Sequence, residues 1–348
     1  MDWFNQQIAQ PDPVYYKKAL QRQRLLTKPP GSLGKLEDLA ARLAAMQGTE
    51  TPSLERVRIS VFAADHGISE EEVSAFPRSV TVEMVRNFSE GGAAINVLAR
   101  QIDAGLEIID AGIHRSLGLD NVIESRAGNG TDNFLKGDAM TGDQLKNAMD
   151  AGKKAVERAM LQQAQLMIGG EMGIGNTTSA TAMLSALTGI DASEITGAGT
   201  GLDGRGILRK TEVIHRALHK HRLNPDNPLG ILKCLGGFEI AALTGLYIQA
   251  AIQRMPVLVD GFIASVASML AVKINSRVLP WLFYAHRSDE KGHQTVLDYL
   301  GVEPILNLQM RLGEGSGAAV AVPVLTAACA LHNEMATFSQ AGVSSGSG

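Results

Sequence analysis

The chain has 348 residues, of which 45% are hydrophobic and 20% are charged, a composition typical of a globular protein with a substantial core. Lys and Arg number 32 against 36 Asp and Glu, a net charge of -4 with no basic stripe to neutralise a row of phosphates, so nucleic acid is an unexpected partner. The N-terminus MDWFNQQIAQPDP lacks the order of a signal peptide, and Gly or Pro interrupts the apolar runs, which predicts no membrane segment. Cys234 and Cys329 lie in the apolar segments ILKCLGG and TAACALH, so we expect buried free thiols and a protein of the reducing cytoplasm.

The two ends of the chain predict helices. Residues 1–50 contain YYKKALQRQRLL and GKLEDLAARLAAMQ, which the turn KPPGSLG separates, and residues 318–340 contain AVPVLTAACALHNEMATF. We expect these helices to pack together as a small helical subdomain, and residues 341–348 to be a flexible tail. Residues 51–317 then form the large α/β domain that carries the functional site.

Five segments of the large domain share one pattern, in which a short apolar run leads to an acid or a histidine and then to a glycine or a helix start. They are RVRISVFAADHG, GLEIIDAGI, QAQLMIGGEMGIGN, MPVLVDGFI and LPWLFYAHRSDEKG, and PILNLQMRLGEGSG repeats the pattern less cleanly. Helical stretches lie between them, among them VTVEMVRNFSEGGAAINVLARQ, LKNAMDAGKKAVERAMLQ, ATAMLSALTG and ASVASMLAVKI. This alternation predicts an α/β fold with a parallel sheet and helices on both of its faces.

Polar residues follow these predicted strands. Because ligands of open parallel sheets bind beyond the carboxyl ends of the strands, we expect the following side chains to converge on one rim. They are Asp65, His66, Asp110, Glu171, Asp260, His286, Ser288 and Glu314. For Asp65, His66, Asp260 and His286, ligand contact and a capping or packing role stay open. The two histidines are not spaced as a metal pair, so we predict no metal.

Two glycine-rich stretches indicate a phosphate site. GGEMGIGNTTSATAMLSAL and GAGTGLDGRGILRK each place glycines in a turn, where free backbone N–H groups suit a phosphate. The first stretch lacks the Gly-Lys-Ser/Thr ending of a P-loop, and the second does not match a dinucleotide fingerprint in register. Glycines that merely allow tight turns remain the alternative for each stretch alone. Together the two stretches favour a small molecule with one phosphate, because no magnesium motif or basic clamp for a polyphosphate is evident.

Eight sequence motifs resemble those of the nicotinate-nucleotide:dimethylbenzimidazole phosphoribosyltransferase family. In chain order they are KPPGSLGKLEDLA, ADHGI, the PxxVTxxMVxNFxxGGAAINVLAR pattern of residues 77–100, GEMGIGNTT, LGGFEIAALTG, PVLVDGF, SDEKG and RLGEGSGAA. The resemblance implies transfer of phosphoribose from nicotinate mononucleotide to 5,6-dimethylbenzimidazole, giving α-ribazole 5'-phosphate and nicotinate in cobalamin assembly. It also implies a Rossmann-like sheet, a small helical domain, a homodimer and no cofactor.

The resemblance assigns roles to individual residues. Glu314 becomes the general base that takes the proton of the acceptor base, and Glu171 stabilises the charge on the ribose or binds its hydroxyls, unless it merely caps the following helix. Burial would raise the pKa of Glu314 and a following helix N-terminus would lower it, and the sequence does not decide between them. The family pattern places the phosphate and ribose on Lys210, Ser288, Gly173, Gly199, Gly201 and Asn176, and the acceptor on Phe76, Pro77, Val80, Met84, Leu312 and Gly313.

Two positions leave the acceptor open. Glu83 stands where we expect many relatives to carry glutamine, and Phe76 stands where members vary, so a purine or a phenol could replace the benzimidazole. If Glu83 faces solvent, it has no consequence for the acceptor. Other classes of function also stay open: a small-molecule kinase, a phosphoribosyl diphosphate transferase, or a protein that binds the nucleotide without turnover. A scaffold role is disfavoured because so many polar residues follow the strands.

Overall fold

The computed structural model describes residues 3–344 and contains one sheet of six parallel strands. The strands are β1 (Val57–Ala64), β2 (Gly105–Gly112), β3 (Val122–Glu124), β4 (Leu166–Met172), β5 (Val257–Val259) and β6 (Leu282–Tyr284). Their spatial order is β3-β2-β1-β4-β5-β6, the doubly wound Rossmann order, in which the direction of winding reverses between β1 and β4. The predicted parallel α/β fold is therefore confirmed.

Helices connect the strands. They are α1 (Pro13–Leu25), α2 (Lys35–Gln47), α3 (Ser79–Glu90), α4 (Ala94–Gln101), α5 (Gly142–Leu161), α6 (Asn176–Thr188), α7 (Ala192–Ile195), α8 (Gly204–His221), α9 (Pro228–Leu235), α10 (Phe238–Ile252), α11 (Phe262–Ile274), α12 (His293–Leu300), α13 (Ser316–Glu334) and α14 (Phe338–Ala341). The central strand β1 pairs with β2 on one side and with β4 on the other, so that Val61 lies opposite both Ile108 and Gly170. Its side chains are buried almost throughout because helices cover both faces of the sheet.

The structure corrects two of the predicted elements. The stretch VTVEMVRNFSEGGAAINVLARQ forms two helices instead of one, because α3 ends at Gly91, whose φ of 81° lies in the left-handed region that glycine favours. PILNLQMRL forms no strand, and only an isolated bridge joins His286 to Leu306. The short edge strand β3 and the helices α9 and α10 lie in segments for which we predicted no element. Helix α10 is buried along nearly its whole length and packs against α5, so it lacks the amphipathic period that marks a surface helix.

Helices from the two chain ends contact one another, since α2 packs against both α1 and α13. Helix α13 is long and apolar enough to cross a membrane by length and composition alone, although it contains Pro323. More than half of its apolar window, 56%, is buried inside the protein, and the helix also contacts α4 and β4. It is therefore packed as a core helix of this fold. The predicted tail ends in residues 345–348, which lie outside the described residues.

The two cysteines, Cys234 and Cys329, are free and buried, as predicted from their apolar sequence neighbours. Burial raises the pKa of each thiol to about 12. Both side chains therefore stay protonated at neutral pH.

Candidate active site

A cavity of about 260 Å³ opens beyond the carboxyl ends of the strands. The predicted site residues in its wall are Phe76, Glu171, Gly173, Asn176, Gly199, His286, Ser288, Leu312 and Gly313. The wall does not include the other predicted site residues, Asp65, His66, Pro77, Val80, Glu83, Met84, Asp110, Gly201, Lys210, Asp260 and Glu314. Both glycine-rich stretches and the residues that follow the strands therefore contribute to the same cavity. Gly313 lines the cavity, whereas the next residue, Glu314, does not.

Glu314 occupies a strained turn that is bonded to β4. Its φ of 65° is left-handed, and so are those of Gly313 at 91° and Gly315 at 83°. The backbone N–H of Glu314 donates to the carbonyl oxygen of Glu171 at 3.2 Å. Gly170 has no side chain to obstruct this approach, since an added Cβ would lie 2.5 Å from the carbonyl carbon of Glu314. The glycines thus allow the turn to lie directly on the strand.

The carboxylate of Glu314 is buried, and no basic side chain among residues 3–344 forms an ion pair with it. Its Oε2 accepts a hydrogen bond of 3.3 Å from the backbone N–H of Ile95, in the first turn of α4. Burial raises the pKa of Glu314 and the charge of Asp260 adds to the rise, while the hydrogen bond from Ile95 opposes it. Burial outweighs the hydrogen bond, so the pKa of Glu314 lies above that of an exposed glutamate.

Glu171 lies near the end of β4 and carries a second perturbed carboxyl group. It is buried, and the side-chain amide of Asn176 donates to its Oε2. Burial raises its pKa well above the ordinary range, and the charges of Glu239, Asp260 and Glu314 raise it further. Several carboxyl groups therefore share one poorly solvated region, which lowers the free energy of a cation placed among them.

His66 does not line the cavity, because it is fully buried in a polar cluster behind the wall. Its Nε2 lies 2.5 Å from Oε1 of Glu239, and its Nδ1 lies 3.0 Å from Oγ of Ser179. Glu239 lies in the first turn of the buried helix α10 and was not among the predicted site residues. The signal that could have identified it is the motif LGGFE, in which an acid follows two glycines within an otherwise apolar segment.

Asp65 and Asp110 hold backbone that follows the strands. Oδ2 of Asp65 accepts from the backbone N–H of His114 at 2.6 Å. Asp110 accepts from the backbone N–H groups of Gly112 and Ile113 at 2.9 and 2.8 Å. Both side chains are buried, and neither belongs to the cavity wall. Their contacts fit the capping role that the sequence left open for Asp65.

Lys210 is buried although it lies on α8, where a lone lysine is usually solvated. Its Nζ donates to Oγ1 of Thr177 at 2.8 Å, and Thr177 belongs to the cavity wall. Burial lowers the pKa of Lys210 to about 8, and the nearby carboxylate of Glu290 opposes that shift. Glu290 also lines the cavity, as does Arg311, whose Nη1 donates to the carbonyl oxygen of Gly199 at 3.0 Å. Two basic side chains and one carboxylate therefore lie beside the glycine-rich turns.

The apolar rim of the cavity is open to solvent. Phe76 is 51% exposed and Leu312 is 58% exposed, although both line the cavity. Oγ1 of Thr200 accepts from the backbone N–H of Ala75 at 3.1 Å and so ties the loop before α3 to the glycine-rich loop. Glu83 is exposed on α3, whereas Met84 on the same helix packs against the core. Glu83 thus faces solvent, and for this orientation we expect no effect of its side chain on the choice of acceptor.

Comparison with known proteins identifies the family. The model of a phosphoribosyltransferase family matches residues 8–343. The chain belongs to this phosphoribosyltransferase family. A curated relative from Pseudomonas putida, named nicotinate-nucleotide--dimethylbenzimidazole phosphoribosyltransferase, is 53% identical over 342 residues, which cover 98% of this chain and 97% of the relative. A relative of the same name from Azotobacter vinelandii is 52% identical over 344 residues, which cover 98% of both chains.

Solved structures support the same family. The crystal structure of the nicotinate-nucleotide-dimethylbenzimidazole phosphoribosyltransferase from Thermus thermophilus matches with a TM-score of 0.91 and 41% sequence identity. The match covers 96% of this chain and 100% of that one. The phosphoribosyltransferase fold and the resemblance recognised in the sequence are therefore both confirmed.

One group of potential metal ligands lies among the described residues of this phosphoribosyltransferase, outside the cavity wall. The ligand atoms of Asp138, His221 and Cys234 lie within 4.8 Å of one another. Nζ of Lys233 lies 2.8 Å from Oδ2 of Asp138, and Sγ of Cys234 donates to Oδ1 at 3.0 Å. The carboxylate of Asp138 is thus already neutralised by the protein, and the chemistry of the cavity does not require this group.

Proposed function

We propose that the protein transfers phosphoribose from nicotinate mononucleotide to 5,6-dimethylbenzimidazole. The products are α-ribazole 5'-phosphate and nicotinate, with inversion at the anomeric carbon, in assembly of the cobalamin nucleotide loop. The observation that carries the proposal is the buried, unneutralised carboxylate of Glu314, on a turn hydrogen-bonded to Glu171 in the cavity wall. Full-length relatives at about half identity bear the name of this activity.

The donor and the acceptor make different demands on the site. The nicotinate nitrogen of the donor is quaternary, so nicotinate leaves as a neutral pyridine and needs no proton. The acceptor attacks through one ring nitrogen, and the proton on its other nitrogen must be removed as the new bond forms. We assign this proton to the carboxylate of Glu314, whose raised pKa makes it a stronger base than an exposed glutamate.

Positive charge develops on the ribose as the bond to nicotinate breaks. Glu171 lines the cavity, and the neighbouring acids Glu239 and Asp260 add negative potential at this point. In a poorly solvated site, negative potential beside the ribose stabilises an oxocarbenium-like transition state more than it stabilises the ground state, in which the positive charge still lies on the pyridinium ring. We therefore assign to Glu171 the stabilisation of the ribose cation or the binding of the ribose hydroxyls.

We place the phosphate beside the glycine-rich loops. The buried ammonium group of Lys210 donates to Thr177, which lines the cavity, and the side chain of Ser288 supplies a hydroxyl in the cavity wall. Backbone N–H groups are expected from the predicted residues of these loops, Gly173, Gly199 and Gly201, with Asn176 at the start of α6.

The acceptor is expected to lie against the exposed apolar rim. Phe76, Leu312 and Gly313 line the cavity, and we include Pro77, Val80 and Met84 from the adjoining segment in the same pocket. A flat aromatic base would cover the exposed faces of Phe76 and Leu312. The same apolar faces suit a purine or a phenol, which remain the alternative acceptors. We further propose that the protein is a cytoplasmic homodimer that needs no cofactor. We also propose that each chain is divided into a large α/β domain and a small helical subdomain formed by the two chain ends.

The test mixes purified protein with nicotinate mononucleotide and dimethylbenzimidazole, and follows free nicotinate and the new nucleotide by chromatography and mass. We expect the two products in equal amounts, and loss of both in Glu314→Gln with donor binding retained. Glu303→Gln is the matched control, because Glu303 is an exposed glutamate that pairs with Lys35. Nicotinate without a new nucleotide would indicate hydrolysis or another acceptor. Binding of both ligands by wild type without turnover would support a binding protein instead.

A further inference from the structure

Asp260 follows β5 and binds the start of α13. Its Oδ1 accepts from the backbone N–H of Ala318 at 2.8 Å, and its Oδ2 accepts from the backbone N–H of Gly315 at 3.2 Å. Both N–H groups belong to the residues that follow Glu314 at the N-terminal end of α13, where the helix itself offers them no acceptor. One carboxylate thus bridges the left-handed turn and the first turn of the helix.

The turn needs this support because it is strained. A non-glycine residue with a φ of 65° is uncommon, and here Glu314 adopts it between two glycines that have little preference of their own. Asp260 is buried, and the cavity wall contains its neighbour Gly261 but not Asp260 itself. Its carboxylate therefore faces the turn.

We infer that Asp260 is a positioning residue, which holds the turn so that the carboxylate of Glu314 stays where the acceptor proton is released. The inference rests on the proposed function, since it concerns the same proton transfer. It differs from ligand contact, the other role that the sequence left open for Asp260.

The groups that face this carboxyl pair come from several elements. His286, after β6, has its Nε2 at 3.6 Å from Oδ1 of Asp260, and Ile95 of α4 donates to Glu314. Glu171 of β4 accepts a hydrogen bond through its carbonyl oxygen from the backbone N–H of Glu314. The negative charge of Asp260 raises the pKa of Glu314. Its removal should therefore lower that pKa.

The experiment compares Asp260→Asn with Asp260→Glu in the transferase assay across pH. An amide has one acceptor oxygen and no charge, so Asp260→Asn should lower kcat about 10- to 100-fold with little change in the donor KM. The acidic limb of kcat/KM for the acceptor should move to lower pH. Asp260→Glu keeps the charge and should leave that limb in place, while its extra methylene displaces the turn and lowers kcat. A wild-type kcat or an unmoved limb in Asp260→Asn overturns the inference.

Asp110 provides the matched control. It is a buried aspartate near the end of β2 that accepts from the backbone N–H groups of Gly112 and Ile113 and pairs with Arg126. Asp110→Asn should lower the melting temperature but leave the pH limb unmoved. If the wild type itself forms no new nucleotide, the proposed function fails, whereas an active wild type with a normal Asp260→Asn profile overturns the positioning role alone.

A measurement on the wild type keeps the inference testable if both Asp260 variants fail to fold. Hydrogen exchange of the peptide that covers residues 313–320 should show strong protection of the amides at Gly315 and Ala318. Exchange there at the rate of an exposed loop would show that Asp260 does not hold the turn.

Discussion

The backbone N–H of Glu314 is bonded at 3.2 Å to the carbonyl oxygen of Glu171, so the two carboxylates assigned to the reaction are fixed relative to each other through the main chain. The hydrogen bond forms because Gly170 presents no side chain to the turn. Gly170→Ala should force the turn away from β4, since an added Cβ would lie 2.5 Å from the carbonyl carbon of Glu314. We expect turnover to fall about 100-fold and the free energy of unfolding to fall by about 1–3 kcal/mol, as for other overpacked sites.

Gly189→Ala is the control for this variant. Gly189 ends α6 with a φ of 75° and has no atom within 4 Å of an added Cβ, so alanine there brings backbone strain without a clash. Steady-state kinetics and thermal melts of the two variants separate these effects. We expect Gly189→Ala to lose about 1 kcal/mol of stability with normal kcat. An equal loss of kcat in both variants would contradict the proposed role of Gly170, which is to let the turn at Glu314 lie directly on β4.

The pH dependence of donor binding should report Lys210. A lysine with a pKa of about 8 loses its charge as pH rises through that value, so binding of the donor phosphate is intact below pH 8 and weakens above it. The donor KM should rise about tenfold per pH unit at the alkaline limit, while kcat at saturating donor stays nearly constant. Initial rates between pH 6 and 10 check this.

Lys210→Met should raise the donor KM at pH 7 and abolish its alkaline rise. Lys220→Met on the same helix is the control, because Lys220 is exposed and donates only to the carbonyl oxygens of Leu135 and Lys136. An alkaline rise that persists in Lys210→Met would assign the titration to another group.

The parallel sheet was predictable because β-branched runs alternate with helices and end in polar residues. The same pattern located Glu171, His286 and Ser288, which line the cavity. Helix α10 was not predictable in this way, since a helix buried on all sides has no amphipathic period. The end of α3 at Gly91 escaped detection because two glycines stand between segments that both favour helix.

Contacts between residues far apart in the sequence limited how much of the site could be predicted. The ammonium group of Lys210 donates to Thr177, 33 residues away, and the pairing of His66 with Glu239 spans 173 residues. Neither local composition nor spacing encodes such pairs. Asp260 is a third example. Its position after β5 predicts that it lies at the rim of the sheet, but not that it binds the turn after Glu314.

Substitutions at the apolar rim should affect the acceptor selectively. Phe76 and Leu312 are half exposed at the cavity, and an aromatic acceptor would bury their free faces. Phe76→Ala and Leu312→Ala should each raise the acceptor KM about tenfold, which corresponds to about 1.4 kcal/mol of lost apolar contact, with the donor KM unchanged. Leu161→Ala is the control, because Leu161 is 85% exposed at the end of α5 and does not line the cavity. A rise in the donor KM instead would place the nucleotide at this rim.

The perturbed carboxyl groups should cost the protein stability. Glu171 and Glu314 have raised pKa values in the folded state, so the folded state holds protons that the unfolded chain has released. Their contribution to stability is therefore present at acidic pH and is lost as pH rises from the ordinary carboxyl pKa through the raised one. Glu171→Gln and Glu314→Gln remove this loss, since glutamine is neutral at every pH.

We expect both glutamine variants to melt above the wild type at pH 8, although they are impaired in turnover. Each unit of pKa shift that is removed is worth about 1.4 kcal/mol, or roughly 2 °C in a chain of this size. The difference from wild type should shrink towards pH 4, where the wild-type carboxyl groups are protonated in the folded state and largely so in the unfolded chain. Calorimetry at pH 4, 6 and 8 measures it, with Glu303→Gln as the exposed control. A difference that grows as the pH falls would show that these carboxylates stabilise the fold when charged.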